Sequence, residues 1–165
     1  MDLVLILLIH IIVFLARFSE FFSKLGLGSF SRWKPGERME LLLVGYNGAR
    51  NTGADARVAA IVKQLKALFG AEKVHITVMT LDEQNLAGYF DEDVSLLPFS
   101  SIFLWDLYRS CCRSHAAILC EGSTLKSTFA DALTLFFCEA AGIMANQQKP
   151  CIAYGSEVGQ MTPHL

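Results

Sequence analysis

The sequence predicts an α/β fold, a doubly wound parallel sheet preceded by an N-terminal hydrophobic helix. Short apolar runs close on glycine in "ELLLVG", "AAILCEG" and "KPCIAYG", as strands covered on both faces do. Segments of helical period separate the runs, and crossover helices make the strands parallel. Each run also empties into a polar, glycine-bearing loop, so three loops meet at the carboxyl edge of the sheet, where ligands of such sheets sit.

The chain opens with an apolar run from Leu3 to Ala16, broken only by His10. A spanning helix needs about 20 residues, and Phe18, Phe21 and Phe22 let a tilted helix reach about Phe22. Arg17 then lies at the interface, where its stem allows it to snorkel, and a neutral His10 is tolerable in lipid. Asp2 without a basic n-region, and no A-x-A site downstream, speak against a cleavable leader. The positive residues Arg17, Lys24, Arg32, Lys34 and Arg38 come afterwards, which by the positive-inside rule makes that side cytoplasmic. Residues 1–24 are thus predicted as a membrane anchor, spanning or monotopic. Residues 25–38 form a Gly/Ser/Pro linker whose Trp33 suits the headgroup layer, and residues 39–165 form the α/β lobe, facing the cytoplasm.

Within the lobe, Val58, Ile61, Val62, Leu65, Leu68 and Phe69 recur at helical spacing, and Gly70 stops that helix. "KVHITVMT" reads as a β-branched strand, "DEQNLAGYF" as a short helix or loop, and "VSLLPF" as a short strand ending at Pro98. Residues 101–113 predict a helix with Phe103, Leu104, Leu107 and Tyr108 inward, and "STFADALTLFFCEAAGIMANQ" a helix packed between layers.

Composition excludes several classes. A net charge of −2 gives no electrostatic case for nucleic acid. The five cysteines show no CxxC spacing and no partnering histidines, so they read as reduced core thiols and no metal is assigned. Asp91-Glu92-Asp93 reads as a solvated turn.

The first loop, "GYNGARNTGAD", has Ala54 and Asp55 where a P-loop needs Lys and Ser/Thr, and its glycines miss the dinucleotide spacing. Asn51 or Thr52 is placed to cap the following helix, and Asp55 to complement its dipole. Asn47, Gly48, Arg50, Asn51, Thr52, Gly53 and Asp55 are the candidate contacts, with Arg50 and the helix N-terminus expected to meet a phosphate or carboxylate. A plain strand-to-helix turn has the same composition. In "EGSTLKST", Gly122, Ser123 and Thr124, with Lys126, are candidates for a sugar or phosphate, Ser123 or Ser127 for a helix cap, and Glu121 for a base. Gly155, Ser156 and Glu157 complete the edge. His75 and His115 read as packed or surface residues, no G-x-S-x-G elbow is present, and no catalytic residue is assigned.

With these loops in view, residues 40–160 resemble the polysaccharide pyruvyl transferase family. "RNTGADARVAAIVKQL" is similar to that family's N-x-G-D loop and long helix, with Ala54 inserted between Gly53 and Asp55. "CEGSTLKSTFADALTLFFCEAAGIMANQQKP" is similar to its central segment, keeping Gly122 of a glycine run. "IAYGSEVGQ" is similar to its G-x-G-x-G, with Glu157 at the central position. The resemblance implies a Rossmann-like lobe of a two-lobed, GT-B-type fold. It also implies transfer of a pyruvyl group, as a ketal, from phosphoenolpyruvate to a sugar of a cell-surface polysaccharide or its lipid-linked precursor. No cofactor is implied beyond that donor substrate. The donor-gripping residues are implied to lie in a second lobe, contributed by further chain or by a homo-oligomer, so these three loops shape the acceptor side. Two alternatives stay open: a membrane-associated glycosyltransferase using a nucleotide sugar, and a non-catalytic membrane-anchored binding domain.

Overall fold

The computed structural model describes residues 32–90, 94–122, 125, 126 and 131–161, together with residues 4, 7, 10, 11, 13–15, 17, 18, 21 and 25 nearer the amino end. Five parallel strands form one sheet: β1 (Met39–Asn47), β2 (Val74–Thr80), β3 (Val94–Pro98), β4 (Ala116–Leu119) and β5 (Cys151–Ala153), in the spatial order β3-β2-β1-β4-β5. The connections are α1 (Thr52–Phe69), a 3-10 turn (Gln84–Leu86), α2 (Phe103–Arg113) and α3 (Asp131–Asn146). The doubly wound parallel sheet expected from the sequence is present.

β1 is the middle strand, and its run Leu41, Leu42, Leu43, Val44 is buried throughout because both faces are covered. Leu41 and Leu43 pack with Val58, Ile61 and Val62 of α1. Leu42 and Val44 turn to the opposite face, against Leu104 and Leu107 of α2 and Phe137, Ala140 and Ile143 of α3. This alternation explains an unbroken apolar run: a strand buried on one face would alternate with polar residues. Fully burying each such side chain contributes about 1.5–3 kcal/mol.

The ends of α1 follow local chemistry. The Asn51 side chain accepts hydrogen bonds from the Gly53 and Ala54 amides, and Gly70, at φ 92°, closes the helix with its amide on the Lys66 carbonyl. α2 ends differently. The Lys149 ammonium, from the turn before β5, donates to the carbonyls of Cys111 and Cys112, both at 2.8 Å. A cation at the negative end of a helix dipole is favourable, and burial lowers this amine to about 8. All five cysteines are free thiols; Cys111 and Cys120 are buried, as expected of core thiols, whereas Cys138 is exposed.

Most of the predicted anchor, like the Asp91-Glu92-Asp93 turn, lies outside the described residues. Of the anchor residues described, Leu15 joins the core beside α2 and α3, while Val4, Leu7, Phe14 and Phe21 are exposed. Among the described residues no helix is long and apolar enough to cross a membrane.

One buried group makes stability depend on pH. Glu139 on α3 is 3% exposed, and its Oε1 has no hydrogen-bond partner among the described residues. Burial raises its carboxyl from 4.5 to about 7. Above pH 4.5 the unfolded chain ionises this group while the fold still holds it protonated, so its contribution to stability falls until about pH 7 and then levels off. Lys149 acts in the opposite sense, but only above about pH 8. Glu139→Gln is therefore expected to lose less stability than the parent between pH 4.5 and 7.5 in urea unfolding. Equal losses would show that Glu139 does not set this slope.

Candidate functional site

The strand order determines where a cleft forms. From β1 the chain moves through α1 toward β2, and from β4 it moves through α3 toward β5 on the other side. Neighbouring strands β1 and β4 thus send their chains in opposite directions, which opens a crevice between the loops that follow them. All three sequence-nominated loops border this switch point.

The first loop is tied to its neighbours by hydrogen bonds. Register with β2 jumps between Leu43 and Asn47, so the end of β1 is irregular, a kind of defect that often re-aims a side chain beside a site. Asn47 folds back over Gly45, donating to the Met79 carbonyl at 3.0 Å. A Cβ on Gly45 would stand 2.7 Å from the Cys120 sulfur and 2.9 Å from the Asn47 amide nitrogen, so the irregular end needs glycine here. Gly48 follows at φ 73° and is closed in by the Thr80 hydroxyl and the Asp82 backbone. Its amide donates to the Asp55 carboxylate at 2.9 Å, and its carbonyl accepts from Asn85 at 2.8 Å. Asp55 is 2% exposed. Its carboxylate ties helix to loop and is not presented to a ligand. Arg50 takes a left-handed φ of 57° and directs its Nε to Asn85 at 3.4 Å, on the β2 side. The first amides of α1 are likewise engaged, because Asn51 caps them. Thr52 and Gly53 are exposed in the first turn.

The loops after β4 and β5 are joined to each other. The Glu157 amide donates to the Gly122 carbonyl at 2.7 Å, Gly159 donates to Leu125 at 3.0 Å, and Leu125 and Val158 form a parallel bridge. The Ser156 hydroxyl donates to the Glu121 carbonyl at 3.0 Å, and Lys126 pairs with Glu157. The Glu121 carboxylate accepts from the Gly122 amide at 2.8 Å. Gly155, at φ 65°, starts the last turn. Ser123, Thr124 and Ser127 lie outside the described residues. His75 and His115 serve the framework: the His115 Nδ1 accepts from the Glu40 amide at 2.9 Å, and His75 meets the Ser95 hydroxyl at 3.1 Å. The Cys120 thiol, raised by burial to about 12, is no nucleophile.

Arg57, which the motifs did not single out, bridges the two halves of the edge. It leaves the second turn of α1, and its guanidinium occupies the space where a side chain on Gly122 would stand. One of its nitrogens donates to the Gly155 carbonyl at 3.1 Å. No carboxylate among the described residues pairs with it. A half-buried guanidinium at the switch point, with one bond among the described residues, is a ready contact for a carboxylate or phosphate. The only sequence signal was an arginine four residues before Ile61, in line with Gln64 and Leu68 on one side of α1.

Two substitutions separate framework from ligand contact. Gly48→Ala meets both the positive φ and the enclosing Thr80 and Asp82, and is expected to cost about 2 kcal/mol or more in urea unfolding. Asp55→Ala strands a buried amide and is expected to cost about 1–3 kcal/mol. A loss below about 0.5 kcal/mol at either position would show that the loop is not held as described. Compared with protein-family models, with curated proteins and with solved structures, the chain finds no match in any of the three.

Proposed function

We propose that this chain is the acceptor-binding, Rossmann-like lobe of a pyruvyltransferase-like protein that modifies a saccharide at a membrane surface. The observation that carries the reading is Arg57, a guanidinium at the β1/β4 switch point that, among the described residues, bonds only the Gly155 carbonyl and is framed by Gly122 and Gly155. In the proposed reaction two acceptor hydroxyls add to C2 of phosphoenolpyruvate, C3 gains a proton, and phosphate leaves with the remaining proton. Every species near that centre is anionic or polar, so the lobe must offer positive charge there. Arg57 has that character, and the glycines allow a sugar to approach the backbone closely. The donor is gripped by a second lobe, from further chain or another subunit. The apolar run of residues 3–16 and its basic flank support attachment to a membrane, with the lobe on the cytoplasmic side.

Nucleotide-sugar transfer is the second reading. The order β3-β2-β1-β4-β5 is that of dinucleotide-binding sheets, whose phosphates also meet the switch point.

A titration separates the readings. A hexose 1-phosphate added to the full chain is expected to bind, and Arg57→Gln to weaken that binding at least tenfold. The unfolding free energy should change by less than about 0.5 kcal/mol, because among the described residues Arg57 makes a single bond to the fold. Unchanged affinity in Arg57→Gln, or no binding by the parent, would remove the proposed site. Tight binding of a UDP-sugar with none of the hexose phosphate would replace pyruvyl transfer with glycosyl transfer.

A further inference from the structure

The amino edge of the sheet, opposite the loops described above, is built from turns tied side by side. Helices of a parallel sheet run against its strands, so their last turns stand where the strands begin. The Met39 amide donates to the Lys73 carbonyl at 2.8 Å, the His115 amide to Glu40 at 2.8 Å, and the Ala117 amide to Pro150 at 3.0 Å. Arg32 reaches Gln148, just past α3, at 3.0 Å. These bonds gather residues 32–38, the turn before β2, the end of α2 and the turn before β5 onto one surface.

The two edges differ in charge. At the amino edge Arg32, Lys34, Arg38, Lys73 and Arg113 are exposed, opposed by Glu37 and Glu72. At the carboxyl edge acids prevail in Asp82, Glu83, Asp106, Glu121 and Glu157. The cations described there are Arg50, Arg57 and Lys126, the last paired with Glu157. A helix dipole accounts for Arg113, in the last turn of α2. It does not call for Lys34, Arg38 or Lys73, which lie on segments leading into strands.

Trp33 stands on the same edge, 42% exposed, with its indole nitrogen donating to the Glu37 carbonyl at 2.8 Å. It shares a cleft of about 480 Å³ with Met39, Phe69, Arg38, Glu72 and Lys73, among others. With its one polar group engaged, the indole offers an apolar ring among cations, a combination suited to lipid headgroups.

We propose that the amino edge is a docking surface for an anionic lipid bilayer, so that the folded lobe itself rests on the headgroups with its carboxyl-edge loops directed away from them. Insertion of the apolar run of residues 3–16 needs no particular lipid charge and sets no orientation for the lobe. The docking surface needs anionic lipid, and it enlists Lys73 and Arg113, which belong to the lobe. Each basic residue near such a bilayer strengthens binding about fivefold. Continuity selects lipid over an acidic protein, because residues 32–38 connect this edge to the apolar run. The inference does not depend on the role of Arg57.

The test lets two vesicle populations compete for the full chain in one sample, phosphatidylcholine alone and phosphatidylcholine with phosphatidylserine, so that any contribution of the apolar run cancels. The chain is expected to favour the anionic vesicles about tenfold or more at about 0.1 M salt, and to approach an equal distribution at about 0.5 M. Lys73→Gln with Arg113→Gln, both at exposed positions, is expected to cut the preference about fivefold or more. Glu72→Gln is expected to raise it about twofold or more. Glu83→Gln, the same charge change at the opposite edge, is expected to leave it unchanged. An equal distribution of the parent at low salt would overturn the proposal. So would a preference retained without Lys73 and Arg113, since the charges of residues 17–38 would then suffice. A preference raised as much by Glu83→Gln as by Glu72→Gln would overturn it too, since net charge and not orientation would be responsible.

Discussion

The bond from the Gly48 amide to the buried Asp55 carboxylate is the constraint on which the carboxyl edge depends. β1 neighbours both β2 and β4, so the height and direction at which it ends set the floor for the loops on either side. Gly48 can approach the Thr80 hydroxyl and Asp82 backbone because it has no side chain, and Asp55 holds it there from the first turn of α1. The same carboxylate could not also receive an anion. The loop that most resembles a phosphate cradle in sequence is therefore spent on locating α1, and with it Arg57, two residues further along the helix.

Charge at the switch point is distributed unevenly as a result. Lys126 is paired with Glu157, Arg50 leans toward Asn85 on the β2 side, and Asn51 occupies the first amides of α1. Arg57 faces the joined loops after β4 and β5, attached, among the described residues, by one bond to a neutral carbonyl. A neutral carbonyl competes weakly for a guanidinium, and an arriving carboxylate or phosphate makes shorter, stronger bonds to it. The glycine at position 122 has a similar logic: any side chain there would displace the guanidinium from the crevice.

The two faces of the sheet follow from the handedness of its connections. One face carries α2 and α3, with an aromatic cluster of Phe99, Phe103 and Phe136 at ring separations of 5.1–6.4 Å sealing them together. The other carries α1 over the β1-β2 side, and among the described residues no helix covers the β4-β5 side. The strip of that side beside α1 has an apolar lining.

Hydrophobic period and end chemistry are local properties, so the sequence by itself determined the parallel α/β class, all five strands, and α1 with its stop Gly70 and a cap at Asn51 or Thr52, of which the fold uses Asn51. It also nominated three loops that do converge on one edge, because each follows a strand of a parallel sheet. What it misassigned or omitted depended on pairs distant along the chain. Arg57 reaches Gly155 across 98 residues, and Lys149 caps α2 from 38 residues away. Asp55 reads as a dipole partner until the fold brings the Gly48 amide to it. The apolar groove has no motif at all, since it arises from the direction in which successive crossovers wind. Only the tertiary structure decided these, because through-space contacts and handedness leave no periodicity in the residues that make them.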